Sequence, residues 1–85
     1  MHEQSLMRAL VRQVDVLARE QQAQRVRRVM VRVGVLGHGG TEHLQEYFRR
    51  EAMGTLAESA TLEIESTEDL IDLTLDSLEL DLPEV

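Results

Sequence analysis

The spacing of the apolar residues changes repeatedly along this chain, and each change predicts a different backbone conformation. Across residues 4–22 the apolar side chains recur every three or four positions, the period of an amphipathic helix. They are Leu6, Met7, Leu10, Val11, Val14, Leu17 and Ala18. Residues 25–36 alternate instead, with Val29, Val31, Val33 and Val35 on one side. That period of two, in β-branched residues, predicts a strand with one buried face.

A second helix is predicted between Thr41, a plausible N-cap, and Gly54, which fits the position that ends a helix. Its expected buried residues are Leu44, Tyr47, Phe48 and Ala52. Tyr47 and Phe48 are neighbours, so only one ring can point fully inward. We expect Phe48 to be buried and Tyr47 to lie at the edge, where its hydroxyl stays hydrated.

Two further extended segments follow this helix. Residues 60–65 alternate, with Leu62 and Ile64 on one side, and residues 70–82 alternate with a change of phase at Asp76–Ser77. A β-bulge would produce that change, and a tight hairpin turn at the same place is the alternative. Pro83 would then close the edge of the sheet.

The resulting order is helix, strand, helix, strand, strand, an α/β (α+β) arrangement. We predict one domain over residues 1–85, because a chain of this length holds a single core. Two helices would pack on one face of a three-stranded mixed sheet. The first two strands are joined through a helix and should be parallel, whereas the last two are joined by a short turn and should form an antiparallel hairpin.

Charge is divided unevenly between the two parts of the chain. Residues 1–53 hold all nine basic residues, every one an arginine, while residues 54–85 hold ten acidic residues and no basic ones. We interpret this as a basic strand beside acidic strands, with Arg28 and Arg32 facing the acidic side chains of Glu63, Glu65, Asp72, Glu79 and Asp81. An acidic tail that docks a partner is the alternative. The net charge of -7 argues against nucleic acid as a partner.

Several classes of function lack the residues they need. The chain has no cysteine, which excludes disulfides, thiolate zinc sites and cysteine nucleophiles. No apolar run approaches the ~20 residues of a membrane span, and no secretory signal is evident, so we expect a cytoplasmic protein without membrane contact. The glycine-rich stretch 37–40, which includes His38, matches no phosphate-binding pattern and is interpreted as a turn. Nothing indicates an enzyme.

The chain opens with Met1-His2-Glu3, a potential metal site. A free terminal amine, the backbone amide of His2 and its imidazole can chelate one ion, and nitrogen donors in a plane suit nickel(II) or copper(II). The amine and the imidazole must both lose protons, so binding should weaken as pH falls. An ordinary chain end without metal is the alternative from the residues alone.

Several stretches together resemble the HypA/HybF family of hydrogenase nickel metallochaperones. They are Met1-His2-Glu3 with Ser5-Leu6, Val31-Arg32-Val33-Gly34-Val35-Leu36, Gly54-Thr55-Leu56-Ala57-Glu58, Leu62-Glu63-Ile64-Glu65 and Leu75-Asp76-Ser77-Leu78-Glu79-Leu80. The resemblance implies a small nickel-binding domain that passes nickel to hydrogenase precursors, and in some organisms to urease, with a GTPase partner. It also implies that the amine of Met1 and His2 hold nickel, with Glu3 beside them.

The chain departs from this family between the second and third strands. The family inserts a zinc domain with two Cys-x-x-Cys pairs there, whereas this chain has a short loop near 66–72, so we expect no zinc.

A nickel metallochaperone would dock the hydrogenase large-subunit precursor or the maturation GTPase on its first helix, where Arg8 and Arg12 are candidates. The alternative is a zinc-less HypA-like adaptor that carries no metal. We expect a monomer, because an acidic last strand resists edge pairing.

Overall fold

The computed structural model describes residues 3–34, 42–68 and 73–84. Its elements are α1 (Glu3–Glu20), β1 (Arg25–Gly34), α2 (Glu42–Ala52), β2 (Thr61–Thr67) and β3 (Leu73–Asp81). The predicted order and the α+β class are confirmed. The predicted N-cap Thr41, the turn at 37–40 and the start of the last strand at 70–72 lie outside the described residues. Within the described ranges, no helix is long and apolar enough to cross a membrane.

The sheet places β1 in the centre, in the order β2-β1-β3. β1 runs parallel to β2, as predicted, and antiparallel to β3. The predicted antiparallel direction of β2 and β3 is confirmed, but these strands do not pair as a hairpin, because they lie on opposite sides of β1. The central position suits β1, since three of its valines are buried and Arg28 has acidic partners on both sides.

A β-bulge in β3 explains the change of phase in the sequence. Met30 of β1 lies opposite Ser77, but Val31 lies opposite Leu75, so Asp76 is the extra residue. The bulge predicted at this place is confirmed. The alternative hairpin turn is wrong, because β3 continues through Asp76 as one strand.

A second bulge, in β1, is not evident in the sequence. Val26 pairs with Leu80 and Arg28 with Glu79, which leaves Arg27 as the extra residue. Val26 is fully buried although it does not alternate in phase with the later valines of β1. Because this extra residue shifts the phase, the alternation of the later valines did not predict that Val26 is buried.

The helices cover one face of the sheet and form one apolar core with it. Its buried residues are Met7, Leu10, Val11, Val14 and Ala18 from α1, Leu44, Phe48 and Ala52 from α2, Val26, Val29, Val31 and Leu62 from the sheet, and Ala57. Phe48 is buried and Tyr47 is partly buried, as predicted. None of the described polar or charged residues is buried.

Both helices end with a residue in the left-handed region of backbone conformation. Gly54 follows α2 at φ 82°, which confirms the predicted C-terminal glycine. Gln22 follows α1 at φ 59°. The N–H of Ala23 donates to the carbonyl of Ala18, and the N–H of Gln22 donates to that of Arg19. These bonds satisfy carbonyls of the last helical turn, so α1 stops at Glu20 and β1 can turn back beneath it.

The other face of the sheet is open and carries crossed ion pairs. Arg28 lies 3.2 Å from Glu63 of β2 and 3.7 Å from Glu79 of β3. Arg32 repeats this arrangement with Glu65 at 3.3 Å and Asp76 at 3.5 Å. The interpretation of the uneven charge as a basic strand beside acidic strands is confirmed, and the structure places the basic strand between the two acidic ones.

Two details of the predicted charge pattern differ. Asp81 pairs with Arg25 and Arg27 at the start of β1 rather than with Arg28 or Arg32. The hydrogen bond from Arg25, together with the charges of both arginines, lowers the pKa of Asp81. Asp72 lies outside the described residues.

Candidate functional site

Of the three predicted metal ligands, the structure describes only Glu3. Met1 and His2 are outside the described residues, and Glu3 is the first residue of α1, although its side chain is also outside the description. A negative charge in the first turn of a helix is favoured by the helix dipole. The metal site at Met1-His2-Glu3 therefore remains a prediction that rests on the sequence. Glu3, the last residue of this motif, begins a helix that packs against the core.

The remaining histidines do not form a second site in the described structure. His43 is exposed on α2, and His38 lies outside the described ranges. Glu46, three residues after His43, pairs with Arg49 at 3.0 Å and Arg50 at 3.5 Å. Across the part of the chain that the structure describes, no three His, Asp or Glu side chains converge to hold a metal ion.

A shallow groove runs between α1 and the first residues of β3. It is lined by Leu6, Ala9, Leu10 and Gln13 on α1 and by Leu73, Thr74 and Leu75 on β3. The α1 residues are spaced three and four apart, which places them on one side of the helix. Leu6 is in the first turns of α1, so a protein lying in this groove would reach the N-terminal part of this helix.

The two arginines proposed for partner docking differ in the structure. The guanidinium of Arg8 donates to both carboxylate oxygens of Glu51, at 3.2 and 3.4 Å, and so ties α1 to α2. Arg12 is exposed and has no ion pair with another described residue. Of the two, only Arg12 is available to an incoming acidic group without breaking an ion pair between described residues.

The segment between α2 and β2 is held by hydrogen bonds of its own. The N–H of Gly54 donates to a Glu58 carboxylate oxygen at 2.9 Å. The Thr55 hydroxyl donates to the carbonyl of Ala52 at 2.7 Å and accepts from the N–H of Ala57 at 3.0 Å. The stretch Gly54-Thr55-Leu56-Ala57-Glu58, which carries part of the family resemblance, thus encodes a compact turn.

This turn is fixed to α1 and β1 through Leu56. The Leu56 N–H donates to the Asp15 carboxylate at 2.9 Å, and the Leu56 carbonyl accepts from the N–H of Val26 at 2.8 Å. Partial burial raises the pKa of Asp15, but the bond from Leu56 and the adjacent Arg19 outweigh burial and hold that pKa below its ordinary 3.8. The sequence did not indicate this contact, because it joins two residues that are 41 positions apart in the chain.

The comparison with known families decides the identity of the fold. The family model described as hydrogenase/urease nickel incorporation, metallochaperone, HypA matches residues 1–72. The chain belongs to the HypA family. The resemblance inferred from the sequence is confirmed, and the match includes the predicted ligands Met1-His2-Glu3 and the turn that follows Gly54.

Curated HypA proteins match this chain over most of its length. The hydrogenase maturation factor HypA of Methylocella silvestris is 42% identical over 65 residues, which cover 76% of this chain and 58% of that protein. The HypA of Archaeoglobus fulgidus is 47% identical over 64 residues, covering 75% of this chain and 58% of its own length. The matched part of the chain therefore spans a little under three-fifths of these relatives.

The fold is also that of a solved HypA structure. The solution structure of the Ni metallochaperone HypA from Helicobacter pylori aligns with a TM-score of 0.82 at 19% identity, covering 98% of this chain and 100% of that chain. At this identity the alignment shows the shared fold alone. The two-helix, three-stranded arrangement derived from the apolar spacing is thus a HypA fold.

Proposed function

We propose that this HypA-family protein binds nickel(II) at its N-terminus and hands the ion on during maturation of a NiFe hydrogenase. The observation that supports this proposal most strongly is the HypA family match, which begins at residue 1 and so includes Met1-His2-Glu3. Its relatives in Methylocella silvestris and Archaeoglobus fulgidus are named hydrogenase maturation factors. The protein would carry the metal as cargo and would not act as an enzyme.

The donor set proposed for nickel consists of the Met1 amine, the backbone amide nitrogen of His2 and its imidazole, with Glu3 alongside. Nitrogen donors suit nickel(II). Protons compete with the metal at the amine, whose ordinary pKa is ~7.7–8.0, and at the imidazole, at ~6.5. Nickel should therefore be held more weakly as pH falls through this range. Weak-acid conditions at a partner would favour release.

The recipient would dock beside the site. We propose the hydrogenase large-subunit precursor or a maturation GTPase as the partner, lying along the groove between α1 and β3. Arg12, which is exposed on α1, is a candidate for a further contact with this partner. We further propose that the protein works as one cytoplasmic domain over 1–85, as a monomer without zinc. The short connection near 66–72 would then take the place of the family's zinc domain.

Nickel titration by calorimetry tests the metal site. Four forms are compared: the protein with a free Met1 amine, verified by intact mass, His2→Ala, a form extended before Met1, and His43→Ala as the matched control. We expect one-to-one binding by the first form and by His43→Ala, and loss of binding by the other two. His43 is the appropriate control because it is an exposed histidine on α2.

Equal, weak binding by all four forms would contradict the nickel proposal. The alternative function would then stand, a HypA-like adaptor that binds a hydrogenase or a maturation protein without carrying metal. Loss of nickel binding in His43→Ala alone would show that the nickel site is on α2 and not at the N-terminus.

A further inference from the structure

The two outer strands of the sheet differ in how regular their edges are. β3 is interrupted by the bulge at Asp76. β2 pairs with β1 through seven consecutive positions, from Thr61 to Thr67, without a change of register. Bulges disturb the ladder of backbone groups that an added strand would need, whereas a regular edge strand keeps that ladder intact. β2 is therefore the better template for a further strand.

One contact shows which backbone groups of β2 point outward. The Gln45 side chain of α2 donates to the carbonyl of Leu62 at 2.9 Å. Because successive residues of a strand direct their backbone groups to opposite sides, Ile64 and Ser66 direct theirs to the same outer side as Leu62. No strand in the described ranges lies beyond this edge. The Gln45 side chain covers the Leu62 carbonyl, which is the first outward backbone group of this edge. The outward backbone groups of Ile64 and Ser66 come next along the edge.

The side chains along this edge specify the chemistry of a partner. On the open face, Glu63 and Glu65 retain 50% and 67% exposure although Arg28 and Arg32 flank them on the inner side. On the covered face, Ile64 packs against the core but is only partly buried. A strand on the outer side would meet carboxylates on one face and an incompletely covered apolar side chain on the other.

We propose that the outer edge of β2 between Leu62 and Ser66 binds an extended segment of a partner protein in which basic and apolar residues alternate. The basic side chains lie against Glu63 and Glu65, and an apolar side chain covers Ile64. Backbone hydrogen bonds of the added strand supply affinity, and the alternating side chains supply selectivity.

A second copy of this chain is a poor occupant of the same edge. Two antiparallel β2 strands related by a twofold axis would bring Glu63 and Glu65 of one copy against the same residues of the other. Like charges on adjacent strands are destabilising. The acidic edge therefore selects a basic partner and discourages self-pairing.

The edge is tested with a short fluorescent peptide in which arginine and valine alternate, and with a glutamate–valine peptide as the probe control. Ser66→Pro removes the outward N–H of an exposed residue without removing a bond to β1, and Ser66→Ala is the matched variant. We expect Ser66→Pro to weaken binding of the basic peptide about tenfold and Ser66→Ala to leave it within about twofold. Urea unfolding verifies that both variants are folded.

A charge variant tests the same edge independently of proline. Glu63→Gln with Glu65→Gln should weaken the basic peptide about three- to tenfold, because two cross-strand charge contacts are lost. Glu42→Gln with Glu46→Gln removes the same charge from α2 and should have no such effect. Amide NMR signals of Ile64 and Ser66 should shift on binding.

Three results would overturn this inference. They are wild-type peptide affinity in Ser66→Pro, equal weakening by the two double glutamine variants, and a wild-type dimer in sedimentation that Ser66→Pro dissociates. The inference does not depend on nickel. Its failure would leave the nickel titration unaffected, and failure of nickel binding would leave this edge intact.

Discussion

The two faces of this sheet are built from the same central strand but contribute differently to the molecule. On the covered face Val29 and Val31 are buried under the helices, and on the open face Arg28 and Arg32 lie between acidic strands. Full burial of an aliphatic side chain contributes about 1.5–3 kcal/mol, whereas an exposed ion pair contributes about 0–1. The covered face thus supplies stability, and the open face favours acidic neighbours for β1.

Phe48→Ala should produce the largest effect and would break the covered face. The ring is 4% exposed, and its removal leaves a cavity that costs about 3–5 kcal/mol. Urea unfolding gives the loss of stability. Tyr47→Ala, on the adjacent and only partly buried residue, should cost clearly less. Equal losses would show that α2 is not seated on the core as the structure has it.

Val29→Thr and Met30→Thr place the same hydroxyl on the two faces of β1. At Val29, which is 0% exposed, the hydroxyl has no water and should cost about 1–3 kcal/mol. At Met30, on the other face, the change should stay within about 1 kcal/mol. Thermal unfolding of the pair measures the difference. A larger loss at Met30 would contradict the assignment of the faces.

Asp15→Asn measures how much a charged side chain on the helix side contributes to stability, for comparison with the ion pairs of the open face. Loss of the charged partner of Leu56 and Arg19 should cost about 1 kcal/mol at neutral pH. Because the folded pKa of Asp15 lies below 3.8, its carboxylate stabilises the fold above that value and loses this contribution as pH falls through the folded pKa.

Unfolding measured between pH 2 and pH 5 checks this linkage. The wild type should lose stability more steeply with acid than Asp15→Asn. A residual slope is expected in the variant, because the pKa of Asp81 is also lowered by its arginines. Identical slopes in the two proteins would show that the Asp15 contacts do not persist in solution.

Arg28→Gln should produce the smallest effect. It measures how much the ion pairs of the open face contribute to stability. Its two ion pairs are exposed, so we expect a loss of about 0.2–1 kcal/mol that shrinks at high salt. Arg49→Gln on α2, which removes one exposed pair with Glu46, is the control. A loss as large as that of Val29→Thr, independent of salt, would mean that the open face holds the fold.

Local spacing predicted the elements of this fold because apolar periodicity is a property of neighbouring residues. The period of α1, the glycine that ends α2 and the bulge at Asp76 are all written in short stretches of sequence. The bulge at Arg27 was missed, since two consecutive arginines leave no apolar residue to mark the change of phase. Val26 was missed with it.

For the candidate site, the sequence predicted the metal ligands, and the structure showed which nearby arginine of α1 is already paired. Met1-His2-Glu3 was predicted from donor chemistry and the family resemblance, and it stays a prediction because the described structure begins at Glu3. The structure alone showed that Arg8 is engaged by Glu51, whereas Arg12 has no ion pair with another described residue.

The sequence by itself determined which segments are helices and strands, which faces are apolar and to which family the chain belongs. Tertiary structure alone decided that β3 crosses to the far side of β1, and that Asp15 binds the turn at Leu56. The reason is physical. Periodicity and caps act over a few residues, whereas strand order and the partner of a polar side chain depend on which distant segments share one core and can neutralise each other's charge.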